Sequence, residues 1–261
     1  MATFLFDKVI FGPIKSRRLG VSLGVNLLPT DQKLCSFDCI YCECGWNPKH
    51  RESKPIIPTV QEVSEKLEAQ LIKMVEEKEL PDVITFAGNG EPTLHPNFDK
   101  IIDITIALRD RFCPKAKVAV LSNSTKITSK KVVEALKKVD DNIMKLDGGT
   151  NEIIDAIDQP VGEFDVHNMV KLLKQFDGDL IVQTLFMRGS YNGVSVDNTT
   201  REEIDAWIEC IKEIHPRQVM IYSLDRDTPA EGLIKVELDE LKEIASYIVE
   251  KIPNDIKISA N

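Results

Sequence analysis

The chain has 261 residues, 43% of them hydrophobic and 29% charged, which is enough sequence to bury one large core. Its net charge of −9 argues against a globally basic nucleic-acid binder, leaving room for a local basic patch. No apolar run approaches the ~18–20 residues that span a bilayer, and the opening Met-Ala-Thr-Phe-Leu-Phe-Asp-Lys lacks the basic-then-apolar layout of a secretory leader.

Residues 1–20 read as an N-terminal extension. Residues 21–28 (VSLGVNLL) read as a strand ending at Pro29, where a cysteine-bearing loop begins. Thr59 and Glu62 form a capping-box pattern that opens a helix running to Lys78. Residues 82–87 (DVITFA) are short, apolar and rich in β-branched side chains, as a buried strand is. The alternation continues with helix 97–112, strand 117–122, helix 128–138, strand 142–146, helix 165–177, strand 179–186, helix 200–214, strand 217–223 and helix 238–252. On the last two helices Ile204, Trp207, Ile208 and Ile211 share one face, as do Leu241, Ile244, Ala245, Ile248 and Val249, the stripe of a core-facing helix.

Six strands, each followed by a helix, imply parallel pairing through right-handed crossovers. Repeating that unit builds a barrel or a partial barrel; a full eight-unit barrel would need two more units, and the N-terminal segment uses part of the length. The expected organisation is one domain over residues 1–261 with its core at 21–252. On such a scaffold active sites lie at the C-terminal ends of the strands, so the residues after each strand carry the functional information.

Cys35, Cys39 and Cys42 stand at the spacing C-x3-C-x2-C in the loop after the first strand. Thiolates hold iron–sulfur clusters, and a four-iron cluster normally takes four of them. A loop that offers three leaves one iron open, the condition that separates a catalytic metal site from a sealed one. Two other readings compete: a zinc site completed by Cys44 or His50, and reduced thiols with no ligand role. Zinc sites built on paired cysteines usually need a second pair, and none follows downstream. The six cysteines do not look like a disulfide framework; they fit a reducing, cytoplasmic setting in which clustered thiols serve as ligands.

With Tyr41 just before its last cysteine, this stretch resembles the radical S-adenosylmethionine (radical SAM) superfamily. The resemblance implies an α/β fold, a partial (β/α)6 TIM-like barrel, with a 4Fe-4S cluster and SAM at the C-terminal ends of the strands. It also implies a reaction in which SAM chelates the open iron and an electron from the cluster splits it into methionine and a 5′-deoxyadenosyl radical, which abstracts hydrogen from a substrate. Gly88-Asn89-Gly90-Glu91, after the second strand, looks like the superfamily's Gly-Gly-Glu motif with Asn89 at the middle position. By that resemblance the backbone there and Glu91 hold the amino group of SAM; glycine admits a ligand close to the backbone, and a carboxylate suits an ammonium. Ser122-Asn123-Ser124-Thr125 is similar to a Thr-Asn-Gly segment of these enzymes, making Ser122 and Asn123 candidates for the ribose or carboxylate of SAM, or caps of the next helix. Asp147 follows the fourth strand as a candidate for ribose hydroxyls or substrate. Gln183, inside the fifth strand, should face the lumen and contact SAM, with a satisfied core amide as the alternative.

Gly12-Pro13-Ile14-Lys15-Ser16-Arg17-Arg18-Leu19-Gly20 looks like the opening of a subgroup related to the tRNA wybutosine-synthesis radical SAM enzymes. Arg17 and Arg18 are candidates to grip a phosphate or carboxylate. Those enzymes carry a second cysteine triad upstream, and here no cysteine precedes Cys35. Together with the acidity, this argues against a nucleic-acid substrate. Cys44 is a candidate hydrogen-atom donor or ligand, and Arg226 a candidate rim residue facing substrate. His95 reads as a loop histidine, His50 lies beyond Pro48 with no spacing that argues coordination, and His167 and His215 sit on expected helices as structural or solvent-facing residues.

The leading expectation is therefore a radical SAM enzyme, oxidoreductase-like in class. It would act on a small molecule, peptide or nucleotide, with flavodoxin or ferredoxin as electron donor and no membrane partner. A glycyl-radical activase acting on a partner protein is the narrower enzyme alternative. A non-catalytic iron–sulfur or zinc electron-transfer protein is the third, and the polar motifs that recur after strands two, three and four weigh against it.

Overall fold

The computed structural model describes residues 4–16, 20–50 and 54–260. In chain order its elements are β1 (Ile10–Ser16), β2 (Gly20–Val25), α1 (Val60–Glu77), β3 (Val83–Phe86), α2 (Phe98–Phe112), β4 (Lys117–Ser122), α3 (Lys130–Leu136), β5 (Asp141–Lys145), α4 (Asn151–Ile157), α5 (Val166–Leu173), β6 (Ile181–Leu185), β7 (Met187–Tyr191), β8 (Val194–Ser195), α6 (Arg201–Ile214), β9 (Gln218–Tyr222), β10 (Leu233–Lys235), α7 (Leu238–Val249) and β11 (Lys257–Ala260). An eight-stranded sheet runs β1-β2-β3-β4-β5-β6-β9-β11, and β10-β7-β8 form a smaller sheet. Within the eight-stranded sheet every pairing is parallel except that of β1, which runs antiparallel to β2; the smaller sheet is antiparallel. This is the expected α/β partial barrel, with a mostly parallel central sheet. Among the described residues no helix is long and apolar enough to cross a membrane.

Several boundaries differ from the sequence expectation, each for a local reason. The first strand stops at Val25 because the Asn26 side-chain oxygen accepts the amides of Leu28 at 3.2 Å and Asn89 at 3.1 Å and turns the chain away. The expected helix 165–177 breaks at Leu173 into a 3-10 turn that ends on Asp177 at φ 52°. A seventh parallel strand, β11, lies beyond residue 252 and pairs Lys257 with Gln218. The short helix α4, the hairpin β7–β8 and β10 were not foreseen; each is too short to show a period.

Alternation along the strands sorts the core into two faces. Ile84, Phe86, Val118, Val120, Met144, Val182, Val219 and Ile221 turn outward into the main apolar cluster, which they share with the helices. Val83, Ala119, Ile143, Ile181 and Met220 turn inward and form a separate small layer filling the barrel. Below that layer Asp141 pairs with Lys117 and Arg217, each at 3.0 Å, which closes the bottom with opposed charges. Two residues further up the same inward face stand Lys145, Gln183 and Tyr222. The lumen is thus apolar in the middle and charged or polar at both ends.

The edge strand β1 is held by aromatic packing. Phe6 stacks on Phe11 with centroids 3.7 Å apart, and the Phe11 ring occupies the place a side chain at Gly24 would need, where a Cβ would lie 2.2 Å from it.

On the opposite flank Trp207, 1% exposed, packs edge-on against Phe186 at 5.9 Å and donates Nε1–H to the Leu146 carbonyl at 3.0 Å. Sequence assigned Trp207 to the core, and that is where it lies. Trp207→Ala should cost about 3–5 kcal/mol in urea unfolding, the range for a buried aromatic truncated to alanine. Trp207→Phe should cost less, because it keeps one aromatic ring while losing the rest of the indole and the bond to Leu146.

Candidate functional site

The cysteine loop is clamped from both sides by backbone bonds. On one side Leu34 N–H donates to the Asn89 carbonyl at 2.8 Å, and Glu91 N–H donates to the Leu34 carbonyl at 3.2 Å. On the other, Asp38 N–H donates to the Asp158 carbonyl at 3.0 Å and Val161 N–H to the Ser36 carbonyl at 2.8 Å. The loop is also stapled internally. Asp38 Oδ1 accepts Asn47 N–H at 2.7 Å and Asn47 Nδ2–H at 3.0 Å, while Asn47 Oδ1 accepts Cys35 N–H at 2.9 Å. Beneath it lies Lys33, whose ammonium donates to the Gly45 carbonyl at 2.8 Å and sits 3.3 Å from Asp38 Oδ1.

Gly90 is required where the loop meets β3. It has φ +140°, and a Cβ there would stand 1.9 Å from the Leu34 carbonyl oxygen. Gly88 is equally tight, with a Cβ position 2.4 Å from Asn26 Oδ1. The spacing of the motif thus reflects close backbone approach as well as ligand access.

The three thiols open onto a cavity of about 180 Å3 at the upper end of the lumen. Cys35, Cys39, Tyr41, Cys42, Gly88, Gly90, Glu91, Ser122, Asn123 and Gln183, all named from sequence, line it together with Lys145 and Tyr222. A wider groove of about 770 Å3 lies between Gly149–Glu152, His167 and α6, but none of the candidate residues lines it. Among the described residues no three His, Cys, Asp or Glu groups are gathered tightly enough for a single metal ion. The three thiols share the wall of one cavity.

Glu91 is 2% exposed, and both of its carboxylate oxygens accept hydrogen bonds. Its Oε1 accepts from Thr93 N–H at 3.0 Å and Ser122 Oγ–H at 2.8 Å, and its Oε2 accepts Asn123 N–H at 2.6 Å. Burial pushes its pKa up against the pull of these bonds. Across the cavity Lys145 pairs with Asp147 and, at 3.0 Å, with Asp158 Oδ1, and lies 4.5 Å from the Tyr41 ring centroid. Burial works against its charge, but Asp147 and Asp158 outweigh that and hold its pKa well above the ordinary lysine value. Asp158 itself is pushed up to about 7, chiefly by burial.

The thiols differ sharply. Burial pushes Cys35 up to about 12, and Cys39 is raised for the same reason. Cys42 falls to about 6 because Cys44 hydrogen-bonds to it, with Lys33 adding to the effect. Cys44 is raised correspondingly, and its Sγ lies 3.4 Å from the Gly88 carbonyl oxygen. Lys33 is pulled down by burial, yet the charges of Cys42, Cys35, Cys39 and Asp38 hold it above its ordinary value.

Other sequence candidates take different places. Asn89 is fully buried and turns from the cavity; its carboxamide donates to Phe6 and Pro29 carbonyls at 2.9 and 2.7 Å and so ties down the N-terminal segment. Asp147 was expected to face ribose or substrate, but its oxygens are taken by Tyr41 Oη–H, Lys145 and, at 2.9 Å, Leu185 N–H. It stands behind the wall. Ser122 acts on Glu91, and Asn123 Nδ2–H reaches Cys35 Sγ at 3.6 Å and Ser36 Oγ at 2.9 Å. Arg226 is on the rim, paired with Glu43 at 2.5 Å. Arg17 and Arg18 lie outside the described residues. His50 is exposed, and His95 is buried with Nε2 2.9 Å from the Pro58 carbonyl. Cys113 and Cys210 are buried at the end of α2 and on α6.

Sequence reasoning missed Lys33, Asp38, Asn47, Lys145, Asp158 and Tyr222. Lys145 and Tyr222 carried a signal, since each follows an inward apolar residue by two on an expected strand. Asp158 carried none.

The family described as Radical SAM superfamily matches residues 31–193. A protein called GTPase Obg from Brachyspira hyodysenteriae is 29% identical over 93% of this chain and 34% of its own length. The UPF0026 protein of Methanocaldococcus jannaschii is 30% identical over 87% of this chain and 66% of its own. The chain thus spans about a third of the first relative and about two thirds of the second. It has no Gly-x-x-x-x-Gly-Lys-Ser/Thr run to carry the nucleotide chemistry in the first name. Among solved structures, Streptococcus suis SuiB bound to S-adenosylmethionine superposes with TM-score 0.63 at 16% identity, over 91% of this chain and 50% of that one. Archaeal TYW1 superposes with TM-score 0.55 at 15% identity, over 88% and 72%. Both likenesses are of fold.

In the metal-free protein, Cys42 should alkylate before Cys35 and Cys39, with an alkylation rate that is half-maximal near pH 6 and level above it, as timed iodoacetamide labelling and peptide mass spectrometry across pH will show. Cys44→Ala removes the S–H donor and should move that midpoint upward.

Proposed function

The chain belongs to the radical SAM superfamily, and on that premise we propose that Cys35, Cys39 and Cys42 hold a 4Fe-4S cluster beside a bound S-adenosylmethionine. The observation that carries this reading is the cavity wall, where three thiols meet one acidic side chain, Glu91, and one basic side chain, Lys145. That donor set fits the pair of groups. Three thiolates leave one iron for a further ligand, and the methionine end of SAM presents one ammonium and one carboxylate.

When bound, the cluster supplies the electron that splits S-adenosylmethionine into methionine and a 5′-deoxyadenosyl radical. The chain's own residues bind and orient. Glu91, fixed by Ser122, Thr93 and Asn123, accepts the ammonium, and the incoming cation favours the ionised form that burial opposes. Two protons of the Lys145 ammonium serve Asp147 and Asp158, and the third is left for the carboxylate. Gly88 and Gly90 line the cavity, where their backbone would lie beside the ligand. Gln183 and Tyr222 offer polar groups at the same height of the lumen. The apolar layer beneath them excludes water from the cavity floor. Hydrogen abstraction from a substrate, small molecule, peptide or nucleotide, completes the reading, with an external flavodoxin or ferredoxin as donor.

Anaerobic reconstitution with iron and sulfide, dithionite reduction and addition of SAM should release 5′-deoxyadenosine, quantified by chromatography against a triple Cys→Ala control. A fully loaded cluster that yields none would sink the proposal. Cys35→Ala, Cys39→Ala and Cys42→Ala should each lose iron while Cys113→Ala keeps it. Glu91→Gln and Lys145→Met should each weaken SAM binding roughly 10- to 100-fold, the worth of one charge-assisted hydrogen bond, in equilibrium titration.

A further inference from the structure

The carboxamide of Asn123 is oriented by the backbone of its own turn. Its Oδ1 accepts Thr125 N–H at 3.2 Å and Thr125 Oγ1–H at 2.8 Å, an Asx-turn that closes the chain after β4. A backbone N–H can only donate, so the amide oxygen faces Thr125 and the nitrogen faces the other way. There Nδ2 donates one proton to Ser36 Oγ at 2.9 Å and the other to Cys35 Sγ at 3.6 Å. Cys35 Sγ also accepts Phe37 N–H at 3.4 Å. Asn123 is 7% exposed, so little water competes for these bonds. The turn alone does not call for asparagine, because aspartate forms an Asx-turn as well. An aspartate at 123 would set an oxygen against the sulfur where asparagine sets an N–H. The donor toward Cys35 is what the asparagine adds.

We infer that Asn123 tunes the reduction potential of the cluster held by the triad, its N–H···S bond to Cys35 raising that potential. Asn123 plays this part only if the triad holds a cluster, as proposed above. One-electron reduction places more negative charge on the irons and their thiolate sulfurs. A donor aimed at one of those sulfurs stabilises the reduced form more than the oxidised one, and hydrogen bonds to the sulfurs are among the factors that set these potentials. Asn123 is a positioning residue in this sense, since its side chain acts through Cys35. Its backbone N–H, which donates to Glu91 Oε2 at 2.6 Å, stays in place when the side chain is changed. The sulfur end of the site can therefore be varied apart from the Glu91 end.

The test is an EPR-monitored redox titration, without S-adenosylmethionine, of reconstituted wild type, Asn123→Ala, Asn123→Asp and Ser36→Ala, with iron and sulfide quantified in each. Asn123→Ala should keep full iron but shift the midpoint negative. The reduced-to-oxidised ratio at a fixed potential should fall about three- to tenfold, which for one electron is ~30–59 mV. Asn123→Asp, which keeps an acceptor for Thr125 but turns an oxygen on the sulfur, should shift further in the same direction. Ser36→Ala removes the other acceptor of Nδ2, leaves the donor to Cys35, and should stay near wild type. An unchanged midpoint in either loaded Asn123 variant would overturn the inference. An equal shift in Ser36→Ala would also overturn it, by tracing the effect to packing of the loop. Loss of the cluster from both Asn123 variants would overturn it too, because the carboxamide would then serve assembly. Wild type that assembles no cluster would instead overturn the cluster reading itself.

Discussion

The contact on which the site depends is the backbone pairing of Leu34 with Asn89 and Glu91. It brings the cysteine loop within hydrogen-bond reach of the turn after β3, and only glycine at position 90 permits so close an approach. From it follows a closed circuit. Leu34 holds the amide of Glu91; the Glu91 carboxylate holds the amide of Asn123; the Asn123 carboxamide returns to the sulfur of Cys35. Groups bonded in a ring inside a low-dielectric interior reinforce one another, and losing one strands the others without partners. The first thiol and the acidic residue are therefore placed relative to each other by backbone geometry, before any ligand binds.

The second organising feature is vertical. The barrel interior passes from the ion pairs of Asp141 through an apolar layer to the polar ring of Lys145, Gln183 and Tyr222. Charge at the top is costly to bury, and the structure answers Lys145 with two carboxylates rather than leaving it alone. Trp207 and Thr184 both bond the Leu146 carbonyl, at 3.0 and 2.6 Å, so the turn that carries Lys145 and Asp147 is anchored from the helix layer and from the next strand. A buried charge network of this kind fixes the side chains that line this side of the cavity.

The two resemblances seen in sequence fare differently. The superfamily is borne out by the family match over residues 31–193, and the barrel by the sheet order. The likeness to archaeal TYW1 is a likeness of fold, shared with SuiB at a higher TM-score, and so does not single out the wybutosine subgroup. Arg17 and Arg18, which carried part of that second resemblance, fall outside the described residues.

The local code was legible where one residue type has one reason to be there. The cysteine spacing, the glycines of the turn after β3, the capping box at Thr59 and the apolar strands could each be read from neighbours in the chain, because thiol chemistry, backbone crowding and strand burial are short-range requirements. What sequence could not decide is which polar groups meet across separate elements of the chain. Asp147 and Lys145 are two apart and read alike; folding turned one behind the wall and the other into it. Asn89 belongs to the expected motif, yet its side chain binds the N-terminal segment, because Phe6 happens to pass there. Asp158 became a partner of Lys145 only through the packing of α4 beneath the cysteine loop. Chemistry of the ligands was written in the chain; the charges around them were assigned by the crossing of strands and loops, since a Coulomb interaction depends on distance in space and not on separation in sequence.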